Sequence, residues 1–128
     1  MSPKIMIVDD SALSRRTMRR VLEMAGYDVV EAADGIAALE MYFIEHPEAV
    51  LLDLVMKGMY GLDVLAKLRE MDSNVRVIIV SADIQSSTRT MAEQGGAYAL
   101  INKPLIATEI IDVLRTALVK EEPLNGSH

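Results

Sequence analysis

Residues 49–61 read Ala49-Val50-Leu51-Leu52-Asp53-Leu54-Val55-Met56-Lys57-Gly58-Met59-Tyr60-Gly61. Four apolar residues lead directly into one carboxylate and then into a glycine-punctuated turn. An unbroken apolar run of that length is the pattern of a strand covered on both faces, and the glycines mark where the chain bends. Asp53 therefore stands at the end of a core strand. A buried charge is costly, so a carboxylate there needs a cation beside it or a mouth open to solvent.

Upstream of that strand, Lys4 to Val8 forms a first short apolar run that stops at the paired acids Asp9 and Asp10. Ser11 suits helix initiation. Ser14, Thr17, Met18, Val21, Leu22 and Ala25 then recur at helical spacing, which puts Arg15, Arg16, Arg19, Arg20 and Glu23 on a solvated outer side, with Gly26 as the stop. Tyr27 to Ala32 holds Val29 and Val30 among polar neighbours, a weaker strand suited to a sheet edge. Asp34 can cap a second helix to about Glu45, which His46-Pro47 breaks.

Downstream, the Gly58 to Gly61 turn precedes a third helix, Leu62 to Met71, with Leu62, Leu65 and Leu68 on one side. Val75 to Val80 is rich in β-branched residues and reads as a central strand ending at Ser81. Asp83 can cap a fourth helix that runs to Gly95-Gly96. Ala97 to Asn102 is a fifth strand ending at Lys103-Pro104. Ile106 to Lys120 closes the series as a fifth helix with Ile110, Ile111, Val113, Leu114 and Leu118 as its apolar stripe. Residues 121–128 read as a frayed tail, so no output domain is expected after residue 120.

Bulk composition narrows the classes. A chain of 128 residues fits one domain. It contains no cysteine, which removes disulfides, thiolate metal sites and cysteine nucleophiles. No signal peptide or apolar run of membrane-span length is visible, so a cytoplasmic protein is expected. The net charge of −6 disfavours nucleic acid and anionic membranes as partners, leaving proteins or small solutes. His46 reads as a surface residue and the nine methionines as core filling.

Alternating strands and helices indicate an α/β sandwich of three layers, a parallel sheet with helices on both faces. Ligands in such sheets bind outside the carboxyl ends of the strands. Asp9 and Asp10 end strand one, Asp53 strand three, Ser81 strand four and Lys103 strand five, so five polar residues converge on one rim. Three carboxylates so close repel one another unless a hard cation joins them, and aspartate oxygens suit Mg²⁺. Lys103 adds a charge able to pair with a carboxylate or a phosphoryl oxygen, and Ser81 adds a donor. These are the parts for phosphoryl transfer to Asp53.

Val-Asp-Asp-Ser at residues 8–11, the Leu-Leu-Asp-Leu-x-Met-x-Gly-Met-x-Gly-Leu run at 51–62, Val-Ser-Ala at 80–82 and Asn-Lys-Pro at 102–104 resemble the receiver domain of two-component response regulators, the CheY-like family. The resemblance spans residues 3–120. It implies a single flavodoxin-like (βα)5 domain over residues 1–120, with parallel strand order 2-1-3-4-5; that order is carried over from the family's known fold. It implies Mg²⁺-dependent transfer of a phosphoryl group from a histidine kinase or phosphotransfer protein to Asp53, switching the binding of a downstream protein partner in chemotaxis-type signalling or a phosphorelay. By the same resemblance, Asp10 binds Mg²⁺ directly, Asp9 through water, and Val55 offers its backbone carbonyl. Ser81 and Lys103 read the phosphoryl group, and the Lys103-Pro104 bond is cis. Beyond its own phosphorylation and slow dephosphorylation, the domain is not an enzyme.

Several positions depart from the family's usual pattern. Lys57 replaces a common proline, and Tyr60 a common acid or amide. Leu100 occupies the place of an aromatic that swings inward on phosphorylation, and Tyr98, two residues earlier, is too far along the strand to substitute. Val55 cannot orient an attacking water, whereas Asp83 is placed to try, so slow self-dephosphorylation and a separate phosphatase are expected. Rival classes fit less well. A nucleotide-binding domain needs a glycine- or hydroxyl-rich turn where Asp9-Asp10-Ser11-Ala12 stands. A phosphohydrolase with an aspartyl nucleophile needs an acid where Val55 stands. The alternative that survives is a receiver-like scaffold that binds partners independently of phosphorylation, which Leu100 keeps open.

Overall fold

A computed structural model describes residues 2–82 and 84–119; the expected helix cap Asp83, Lys120 and the expected tail lie outside the described residues. Strands and helices alternate as β1 (Lys4–Val8), α1 (Ala12–Met24), β2 (Asp28–Ala32), α2 (Gly35–Glu45), β3 (Ala49–Leu52), α3 (Gly61–Met71), β4 (Val77–Ser81), α4 (Ser86–Gln94), β5 (Ala99–Asn102) and α5 (Ala107–Ala117). All the pairings are parallel and the strand order is β2-β1-β3-β4-β5. This is the flavodoxin-like three-layer sandwich that the alternation and the resemblance predict.

The strand pleat divides the core in two. Met6, Val8, Val50, Leu52, Val77 and Ile79 face α2, α3 and α4. Ile5, Ile7, Leu51, Ile78 and Val80 face α1 and α5, where Met18, Leu22, Ile110 and Leu114 meet them. Each such side chain contributes about 1.5–3 kcal/mol through removal of apolar surface from water, and the central strand β3 is buried at every residue. The ends of the elements show how local signals act. Ser11 and Asp34 cap α1 and α2, their side chains accepting from the Ser14 and Ala37 N–H groups at 3.2 and 2.8 Å. α2 stops where His46 takes a left-handed conformation, φ 48°, ahead of Pro47.

Some boundaries differ from those read off the apolar runs. β4 begins at Val77 and β5 at Ala99. Arg76 and Tyr98 each make one bond across to the neighbouring strand, the Val50 N–H donating to the Arg76 carbonyl at 2.8 Å and the Tyr98 N–H to the Val77 carbonyl at 2.7 Å, but regular pairing starts only after them. α4 begins at Ser86 with Gln85 at its N-cap. Three methionines expected in the core, Met24, Met71 and Met91, are exposed.

The outer face of α1 also needs correction. Arg15 and Arg19 are not free in solvent: both bind Glu31 on β2, with Arg15 Nε 2.9 Å from Oε1 and Arg19 Nε on Oε2. Arg19 also donates to the Val29 carbonyl on the free edge of β2 at 3.3 Å and pairs with Glu23 one turn away. The Arg19 contact, opposed by partial burial and helped by Arg15, holds the Glu31 carboxyl below its ordinary range. A depressed carboxyl contributes stability that is fully present above the unfolded pKa, about 4.3, and is lost as pH falls through the lower folded value. Glu31→Gln should therefore cost about 1 kcal/mol at pH 7 after allowance for solvent screening. In urea titrations the difference from the parent chain should disappear as pH is lowered through the region below about 4.

Candidate functional site

Backbone bonds at the carboxyl end of the sheet bring the rim residues together. The Asp9 N–H donates to the Ala32 carbonyl at 3.2 Å, and the Asp53 N–H donates to the Val8 carbonyl at 2.9 Å. Asp9 and Asp53 thus leave neighbouring strands side by side. The chain beyond Asp53 is folded tightly back, with the Gly61 N–H donating to the Leu54 carbonyl at 3.0 Å. Gly61 is needed there: a Cβ at this position would lie 2.5 Å from Leu54 Cα and 2.6 Å from the Asp53 carbonyl oxygen.

Carboxylate oxygens of Asp9, Asp10 and Asp53 all lie within 4.8 Å of one another. Asp9 and Asp53 are buried and Asp10 is exposed, so the cluster opens to solvent through Asp10. Lys103 reaches in from the end of β5. Its Nζ is 2.9 Å from Asp9 Oδ2 and 3.3 Å from Asp53 Oδ2. Burial works to lower the Lys103 pKa, but hydrogen bonds and charge attraction from the two aspartates outweigh it, and the net shift is upward. The ammonium stays charged. Three carboxylates against one ammonium still leave two net negative charges, and an all-oxygen donor set of that charge fits a hard divalent cation such as Mg²⁺.

The other rim residues are placed as follows. Ser81 is buried at the end of β4, its carbonyl accepting from the Lys103 N–H at 2.9 Å, while its hydroxyl has no hydrogen-bond partner among the described residues. A buried hydroxyl without a partner is uncommon enough to mark a donor held in reserve. The Val55 side chain is exposed, and its N–H donates to Asp53 Oδ1 at 3.2 Å. The Lys103-Pro104 bond is cis, as the resemblance implies. Leu100 packs partly buried against the α2–α4 side of the core. Tyr98 stands away from the rim, its ring 5.9 Å from the Arg76 guanidinium carbon.

Three contacts escaped the sequence reading. Lys103 Nζ also donates to the Ser14 hydroxyl at 3.4 Å. Arg15 donates to the Asp9 carbonyl at 2.7 Å, so one guanidinium braces both the acidic turn and β2. The Lys57 backbone N–H donates to Asp10 Oδ2 at 3.1 Å, tying the loop after β3 to the acids after β1. The signal for Ser14 was a hydroxyl in the first turn of α1 on its inward stripe. The signal for Arg15 was Glu31 beside the apolar pair Val29-Val30.

Among known proteins, the sequence pattern described as the response regulator receiver domain matches residues 5–115. Sporulation initiation phosphotransferase F of Bacillus subtilis is 35% identical over 127 residues, covering 99% of each chain. Response regulator MprA of Mycobacterium bovis is 32% identical over 123 residues, 96% of this chain and 54% of its own length. The chain therefore spans about half the length of MprA. In a solved complex of CheX, CheY, BeF3 and Mg²⁺ from Borrelia burgdorferi, the matching chain has a TM-score of 0.88 and 29% identity, with 92% of this chain and 90% of that chain covered. No helix among the described residues is long and apolar enough to cross a membrane. With strand order, acidic rim and sequence pattern in agreement, the chain belongs to the CheY-like receiver domains of two-component response regulators.

Proposed function

We propose that this chain is a phosphorylation switch in which Asp53 accepts a phosphoryl group and a change in protein binding carries the signal onward. The observation that supports it best is the joint grip of Lys103 on Asp9 and Asp53 inside a cluster of three carboxylates. Receiver domains of this family take part in phosphoryl transfer with histidine kinases or phosphotransfer proteins. The finer reading is that residues 1–120 act as the receiver, with Asp9, Asp10, Asp53 and the Val55 carbonyl holding Mg²⁺. When bound, the ion supplies positive charge that offsets the carboxylates and the phosphoryl oxygens.

The chain's own residues account for the remaining steps. An Asp53 carboxylate oxygen forms a bond to phosphorus as the P–N bond of a phosphohistidine donor breaks; the electron pair leaves on the imidazole nitrogen, which takes up a proton. Lys103 already contacts Asp53 Oδ2, so its ammonium can follow the new charge onto a phosphoryl oxygen while keeping Asp9. The unpartnered Ser81 hydroxyl is a donor for another of those oxygens. The product carries close to two negative charges at neutral pH. Moving Lys103 and Ser81 toward that charge biases the ends of β4 and β5 toward a state that binds a partner. With Leu100 in place of an aromatic and Tyr98 held by Arg76, the readout runs through these loop movements and not through a swinging ring. A separate phosphatase is the expected route for resetting the switch.

The test is the intact mass of the chain after incubation with acetyl phosphate, with and without Mg²⁺, beside a receiver known to label. A gain of one phosphoryl group that EDTA abolishes supports the switch. No gain while the control labels would favour the phosphorylation-independent scaffold.

A further inference from the structure

Two helices leave unusual outer faces. Eleven residues make up α2, and only Glu40 and Glu45 among them are charged. A helix apolar on nearly every side is normally covered on every side. Here the sheet and α3 cover the side that carries Ala38 and Tyr42, with Ala37, Leu39 and Met41 partly buried beside them, but Ile36, Phe43 and Ile44 are 65%, 71% and 68% exposed. Ile36 and Ile44, with Glu40 between them, border an open groove of about 950 Å³ between α2 and the loop that carries Lys57 and Met59, and Phe43 lies outside it. Glu45 is already paired with Lys4 at 2.7 Å. Glu40, four residues from both Ile36 and Ile44, is the acid in the middle of this apolar stripe.

α1 presents the opposite arrangement. Leu13 and Met24 are 69% and 84% exposed at its two ends. Between them, Arg16 and Arg20 are exposed, and no ion pair among the described residues includes either. Leu13, Arg20 and Met24 are spaced seven and four apart, so they lie on one side of the helix. One stripe is apolar with a basic middle and the other apolar with an acidic middle. Their lengths, roughly 16 and 12 Å at 1.5 Å per residue, are comparable.

We propose that α1 of one copy of this chain docks on α2 of the next, with Leu13 and Met24 against the Ile36, Phe43 and Ile44 surface and Arg16 and Arg20 against Glu40. A two-fold α2–α2 contact is disfavoured because it would set Glu40 against its own symmetry mate. α1 and α2 pack on opposite faces of the sheet, both against β1 and β2, so the α1-to-α2 contact is head-to-tail and leaves one open face at each end. A single helix from each partner buries less than a stable complex does, so association is weak and driven by concentration. The proposal concerns the helix surfaces and does not depend on the phosphoryl chemistry of the rim.

Sedimentation equilibrium of the full chain from roughly 10 μM to 1 mM tests it. The average mass should rise above the monomer with concentration and fall back with added salt. Arg20→Glu and Phe43→Glu, each checked for an unchanged circular dichroism spectrum, should be monomeric when alone. Mixed together, they should form a capped one-to-one dimer, because the Phe43→Glu chain keeps a working α1 face and the Arg20→Glu chain a working α2 face. A parent chain that stays monomeric throughout overturns the proposal and leaves both faces to other partners. Undiminished association of Arg20→Glu, or a mixture that forms no dimer while the parent chain associates, overturns it too.

Discussion

A chain carrying Asp53→Asn should gain no phosphoryl group under conditions that label the parent chain, a drop of roughly 100-fold or more in labelled fraction. An amide lacks the anionic oxygen that attacks phosphorus, and Asp9 and Asp10 belong to a different strand end. The fold should survive. Asparagine keeps the shape of the side chain and an oxygen to accept the Val55 N–H, which lies 3.2 Å from Asp53 Oδ1. It also removes one of three mutually repelling carboxylates, leaving Lys103 with Asp9 at 2.9 Å. Thermal denaturation should therefore place the variant at or above the parent. Loss of labelling with unchanged or improved stability identifies a chemical role; equal labelling of both chains would move the acceptor to another residue.

The second large effect is structural and reaches the same site through the backbone. Gly61→Ala should lower stability by about 2 kcal/mol, because overpacking a closed site commonly costs 1–3 kcal/mol. Alanine's better helix propensity returns up to about 1 kcal/mol at most. The added Cβ has no flexible neighbour to push aside: it meets Leu54 Cα at 2.5 Å and the Asp53 carbonyl oxygen at 2.6 Å. Gly58→Ala is the control. Gly58 has φ +90° and nothing within 4 Å of the place its methyl group would take, so only the left-handed backbone is penalised, at about 1–2 kcal/mol. Urea midpoints should fall for both chains. Slower labelling is expected for Gly61→Ala alone, because only that substitution displaces the backbone of Asp53.

Much of the fold was legible because its signals are local. The Ala49–Leu52 run, the stop at Asp9-Asp10 and the caps Ser11 and Asp34 depend on a few adjacent residues, and each falls where the pattern puts it. The rim was legible for a different reason: parallel topology brings all the strand ends to one side, so naming the ends of the runs named the neighbours. The ends that failed were those where the chain approaches the sheet one or two residues before regular pairing begins, as at Val75-Arg76 and Ala97-Tyr98, where a single bond to the neighbouring strand precedes the ladder. Arg15 and Arg19 were misread because a helical wheel shows the faces of one helix and not the acid on the next strand. Ser14 was counted toward the packing stripe, though its hydroxyl reaches Lys103. Exposed Met24 and Phe43 show that apolar spacing alone does not say which side the protein itself covers.

The Arg19 contact with the Val29 carbonyl bears on how the molecule ends. In a parallel strand the N–H and C=O of one residue point the same way; the Asp28 N–H turns toward β1, where it meets the Pro3 carbonyl, so the Val29 groups face outward. An incoming strand seeking to lengthen the sheet would find that acceptor taken by a guanidinium that is itself held by Glu31. Bare strand edges are templates for runaway sheet growth and amyloid. At β2 the template is blocked by a side chain from the preceding helix, and the sheet is terminated there by the fold itself.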